Sequence, residues 1–115
     1  MVTDSELRAV LSAIEALTPR ERERAADEIT DVCRSFSSEQ ATLVAYRLVA
    51  IRLRETVEAC QEAQLNALCD IKAWHELPGQ VFARLAPLLE EDVGVQREYL
   101  QELLADGAWS RPPGT

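Results

Sequence analysis

Histidine occurs once in this chain, glycine four times, and aromatic side chains only as two Trp, two Tyr and two Phe. Each scarcity excludes some chemistry. Without a Gly-rich run there is no phosphate-cradling loop, and neither a GxSxG elbow nor a Walker-type motif occurs. His75 follows Asp70 at a spacing that is poor for one face of a helix, so it reads as ordinary capping at a helix C-terminus. Cys33, Cys60 and Cys69 form no CxxC pair and sit among apolar residues, which predicts buried free thiols in a reducing cytosol. Cys60 and Cys69 fall on nearly opposite sides of a helix, and neither has a base nearby to activate it. The expectation is a chain that is not an enzyme, with no cofactor and no metal.

Long hydrophobic runs are also missing. The N-terminus shows no basic stretch followed by an apolar one, and the longest apolar run is short and carries arginines. A cytoplasmic protein without a membrane span is expected. Basic charge is scarce as well: 12 Lys and Arg against 20 Asp and Glu leave a net charge of −8. That balance argues against a surface that tracks phosphates and allows a basic protein partner.

What is abundant is Ala, Leu, Glu and Arg, the composition of an all-α domain. Thr3 and Glu6 form a capping box before Leu7, Val10, Leu11, Ile14 and Leu17, which predicts a helix over 4–17. Thr18-Pro19-Arg20-Glu21 starts a second, burying Ala25, Ala26, Ile29, Val32, Cys33 and Phe36. Ser37 and Gln40 open a third, over 38–54. Its nearly all-apolar stretch from Leu43 to Leu53 suggests a helix covered on more than one side, at the centre of the fold.

No Gly or Pro interrupts the chain from there to Trp74. A break near 55–57 is nonetheless expected, with Thr56 as the cap of a fourth helix. That helix carries the stripe Cys60, Ala63, Ala67, Ile71 and Trp74, supported by Leu68. A fifth carries Val81, Phe82, Leu85, Leu88 and Leu89, with Pro87 in its last turn. Glu91-Asp92 caps a sixth, with Val95, Tyr99, Leu100, Leu103 and Leu104 inward and Gly107 after its end. One domain over 1–109 and a loose tail over 110–115 follow.

The six helices pair into three antiparallel hairpins whose second members begin at an interval of about 36 residues. Gln61, Leu65 and Leu68 recur as Gln96, Leu100 and Leu103, and Ala73-Trp74 recurs as Ala108-Trp109. The last pair, Leu77-Pro78-x-x-Val81 through Leu104, resembles a HEAT-type helical repeat, and 56–68 does so less closely. That resemblance, covering roughly 38–106, implies a short right-handed solenoid acting by protein contact; a compact helical bundle is the other arrangement of the same elements. In small size and acidity the chain is also similar in type to bacterial immunity proteins that neutralise toxins.

Charge is patterned within those helices. Arg20 to Arg24 alternates in sign, giving a solvated face with local pairs such as Arg24 with Glu28. Arg47 and Arg54 share a face of helix three and are placed to pair with acids from a neighbour. Each hairpin's second helix carries acids at helical spacing: Glu23, Asp27 and Asp31; Glu58, Glu62 and Asp70; Glu98 and Glu102. Like charges so placed cost roughly 0.2–0.5 kcal/mol per pair, little enough to persist as a plain solvated face. Stacked hairpins would instead align them into one acidic wall that steers a basic partner, with Tyr99 or Trp109 as an aromatic anchor. The leading expectation is thus a non-enzymatic protein-binding module of immunity or antitoxin type. An acidic nucleic-acid mimic or transcriptional regulator and a structural homo-oligomer are the alternatives.

Overall fold

In a computed structural model, which describes residues 1–91 and 93–105, the chain forms six α-helices and two 3-10 turns, with no strand among the described residues. The starts follow local chemistry. At α1 (Asp4–Ala13) the Thr3 hydroxyl accepts from the Glu6 N–H at 3.1 Å, and the Glu6 carboxylate accepts from the Thr3 N–H at 3.2 Å. At α2 (Pro19–Val32) the Thr18 hydroxyl accepts from the Glu21 N–H at 3.3 Å, with Pro19 in the first turn. At α3 (Ser38–Arg54) Ser37 and Gln40 cap reciprocally, at 3.1 and 2.9 Å.

The ends depart more from the sequence pattern. The first helix stops at Ala13 rather than reaching Leu17, which is 96% exposed. Past Ala13 the chain tightens into i→i+3 bonds, from the N–H of Glu15 to Ser12 at 3.1 Å and of Ala16 to Ala13 at 3.2 Å. Arg22 NH1 then donates to the carbonyls of Ala16 and Leu17, at 3.0 and 3.1 Å. After α2 the chain tightens into a 3-10 turn at Cys33–Ser35, and Val32, expected inside, lies exposed at the edge of the buried face.

The chain does break over 55–57, but Thr56 is not the cap. Val57 occupies that position before α4 (Glu58–Trp74), with no side-chain cap bond, and Thr56 is exposed. The fifth helix is much shorter than its apolar pattern: α5 covers only Gln80–Ala83, followed by a 3-10 turn at Ala86–Glu90. Pro87 cannot donate to the carbonyl of Ala83, and its ring disfavours helical geometry at Ala86. The last helix, α6 (Gln96–Leu103), starts later than Glu91, after Gly94 turns the chain at φ +55°. Val95, expected in the core, is therefore 65% exposed. Asp92, Gly107, Trp109 and the tail lie outside the described residues.

Helices α1, α3 and α5 touch in succession, and so do α2, α4 and α6; α1 packs on α2 and α3 on α4, while α6 packs on the 3-10 turn at Ala86–Glu90. The result is a slab of 40 × 38 × 19 Å, whose short dimension suits two layers of helices. Helix α4 is its most enclosed member, packed against α2, α3 and α6. Cys60, Leu65, Ala67, Leu68, Cys69 and Ile71 are all buried on it. The 43–53 stretch is covered from more than one side, by α1, α4 and α5, and leaves Leu43 and Tyr46 exposed on its remaining face. Trp74, expected in the stripe of α4, is 46% exposed beneath Arg34, whose guanidinium sits 5.8 Å from the ring centre. Among the described residues no helix is long and apolar enough to cross a membrane.

Candidate functional site

The acid-bearing helices are neighbours. Because α4 lies between α2 and α6, its two sides can be followed through its thiols. Cys60 donates to the carbonyl of Pro19 at 3.1 Å on the α2 side, and Cys69 to that of Tyr99 at 3.7 Å on the α6 side. Lys72, buried, donates from Nζ to the Glu102 carbonyl near the C-terminal end of α6, where a cation is favoured. His75 caps α4 as expected, its backbone N–H donating to the Ile71 carbonyl at 2.9 Å, and its Nε2–H donates to the Cys33 carbonyl at 2.8 Å, which ties the end of α4 to the end of α2. All three thiols are free and buried. Burial pushes Cys69 up to about 12, with Glu102 and Asp70 adding to it, and pushes Cys33 up to about 11.

Along the α4–α6 seam the acids influence one another. Burial raises the Asp70 carboxyl above its ordinary value, and the charge of Glu102 raises it further. Half-buried Tyr99 is pushed up first by burial and then by Glu62, with contributions from Glu98 and Asp70. Glu62, Asp70 and Glu98 thus face Tyr99, and Glu102 faces Asp70 and Cys69. On the other side, Asp27 and Asp31 are exposed on α2, while Glu23 acts on Cys60. Glu58 is exposed at the start of α4, and Trp109 lies outside the described residues.

A second constellation, invisible to pattern reading, runs inside the fold. Glu55 is buried, and Arg22 grips it with two bonds, Nε to Oε1 at 2.8 Å and NH2 to Oε2 at 3.0 Å. Gln64 donates to Oε1 at 2.8 Å, and the backbone N–H groups of Thr56 and Val57 both donate to Oε2 at 3.2 Å. Burial alone would raise this carboxyl; the bonds from Arg22, Gln64 and Val57 outweigh it and hold the group down to about 2.

From Glu55 the polar path continues to α6. Gln61 donates to the Glu55 carbonyl at 2.7 Å, and Gln96 donates to Gln61 at 3.1 Å. Arg52 then donates from NH2 to Gln96 Oε1 at 2.7 Å. The recurrence of Gln61 as Gln96 was visible in the sequence, but their contact was not.

The arginines of α3 divide. Arg47 and Arg54 pair with Glu15, at 3.3 and 3.5 Å, as their shared face implied. Arg24 makes no ion pair among the described residues, Glu28 included. Among the described residues no three of His, Cys, Asp and Glu gather as a metal-ligand set. Comparison with protein-family models, curated proteins and solved structures finds no match.

Proposed function

We propose that this chain is a non-enzymatic protein-binding module that receives a basic partner on the acidic face of α2, α4 and α6, as an immunity- or antitoxin-type inhibitor does. The observation that carries this reading is the seam between α4 and α6. Glu62, Glu98 and Asp70 face Tyr99 there, and Asp70, with Glu102 beside it, is held in a setting that opposes its own ionisation. Folding gains nothing from that arrangement. A surface evolved only for solubility would disperse its charges, whereas a face that draws in a basic partner concentrates them. Tyr99, half-buried among the acids, is suited to anchor a partner's side chain. The succession of hairpins in two layers also supports a short helical repeat of HEAT type, an architecture that works by contact.

Affinity capture from a lysate of the native host tests the reading. A basic protein should be retained at low salt, released as ionic strength rises, and lost to the Glu62→Lys/Glu102→Lys variant. Retention unaffected by both changes would sink it. A second reading, a structural homo-oligomer, is favoured by Leu43 and Tyr46, which lie exposed beside a shallow groove on α3. Sedimentation at several concentrations separates the two, since only self-association shifts with concentration of the pure chain.

A further inference from the structure

Where α3 ends, α4 begins and residues 88–91 and 93–96 fold over them lies a part-open cavity of about 600 Å³. Small-ligand sites have volumes of this order. Burial sorts its lining. Arg52, Gln96 and Glu55 are buried at its base, the Glu55 carboxylate being engaged by Arg22 and Gln64; Leu53 and Leu88 supply apolar wall, and Glu58 and Glu91 are exposed at its mouth.

Arg52 is the unusual member. It is 4% exposed and forms no ion pair among the described residues. A guanidinium offers five N–H donors; NH2 gives one bond to Gln96, and Nε has no hydrogen-bond acceptor among the described residues, while Glu91 and Glu55 act on the group only at longer range. A well-packed apolar side chain at this position would generally be no less stable than a buried charge. Stability therefore gives no reason for the charge. A carboxylate matches the donor fork of arginine. A simple anion, however, would approach past Glu58 and Glu91, which repel it and attract an ammonium group.

We infer that this cavity binds a small zwitterion of the α-amino-acid type, its carboxylate on Arg52, its ammonium between Glu58 and Glu91, and an apolar side chain against Leu53 and Leu88. Both charges of the ligand are needed, because each end of the cavity rejects the opposite half. The site is separate from the acidic seam of α4 and α6, as neither Glu62 nor Glu102 lines it.

Isothermal titration of the full chain with leucine, 4-methylpentanoate and isoamylamine, which share a carbon skeleton, tests this. Leucine should saturate, and the two singly charged analogues should bind about tenfold or more weakly, the loss that goes with one charge-assisted contact. Arg52→Met should abolish leucine binding; the Glu58→Gln/Glu91→Gln variant, altered only at exposed positions, should weaken leucine and leave 4-methylpentanoate no worse. If Arg52→Met does not fold, the double variant decides alone. The proposal is overturned by leucine failing to saturate at about 10 mM, by isoamylamine binding as well as leucine, or by leucine affinity unchanged in either variant. Glu62→Lys/Glu102→Lys should bind leucine normally even where it no longer captures a basic protein.

Discussion

Glu55 carries more of the structure than any other polar side chain. It sits at the break between α3 and α4, and its carboxylate joins Arg22 of α2, Gln64 of α4 and two backbone N–H groups of the turn. Breaking such a pair leaves the other charge stranded, at a cost of about 3–5 kcal/mol when fully buried. Arg22 retains an edge in solvent, so Glu55→Gln should cost about 2–3 kcal/mol in urea denaturation at neutral pH. The pH dependence follows. A carboxyl held at about 2 in the fold and near its ordinary value when unfolded contributes stability that is fully present above roughly pH 4.5 and lost as pH falls toward 2. Denaturation midpoints across that window should drop steeply for the natural chain and less for Glu55→Gln. The thiols give an independent check. With Cys33 and Cys69 pushed up to about 11 and 12, neither should react measurably with a thiol reagent at neutral pH until the chain unfolds. Rapid labelling of either in the folded state would contradict their burial.

At the level of elements, what was legible in the sequence was written in neighbouring residues. The caps at Thr3, Thr18 and Ser37 act within four positions, and each helix begins where its cap predicts. Ser37→Ala should cost about 1 kcal/mol in thermal unfolding, the usual worth of such a cap. Ends were less legible because distant groups set them. Leu17 leaves the core where the chain tightens after Ala13 and Arg22 takes the carbonyls of Ala16 and Leu17, and Val95 does so through the left-handed turn at Gly94. Glu55 looked like a neighbour of a Thr cap, and nothing local says that its partner stands 33 positions away. The acids of α2, α4 and α6 were legible as stripes, since helical spacing alone gives them. The meeting of the α4 and α6 acids at one seam required the order of the layers. Arg52, by contrast, looked like one of two interruptions in an apolar run; its isolation at the base of a cavity is a property of the packed fold.

For the whole molecule, the two-layer arrangement places the acid-bearing helices side by side, and Asp70 is the acid among them whose carboxyl is raised. A carboxyl raised by burial and by Glu102 is strained when ionised, so it destabilises the fold above its own pKa and ceases to do so as pH falls. Asp70→Asn should therefore stabilise the chain by a few tenths of a kcal/mol at neutral pH, read as a small rise in Tm. The same change should weaken partner capture, since it removes one charge from the seam. The most direct test of the acidic face is the association rate of the captured partner with the natural chain and with Glu62→Lys/Glu102→Lys. Steering by that face predicts a rate that falls steeply with ionic strength for the natural chain, and a slower, nearly salt-independent rate for the variant. Equal rates with the same salt dependence, in a variant that remains folded, would contradict it.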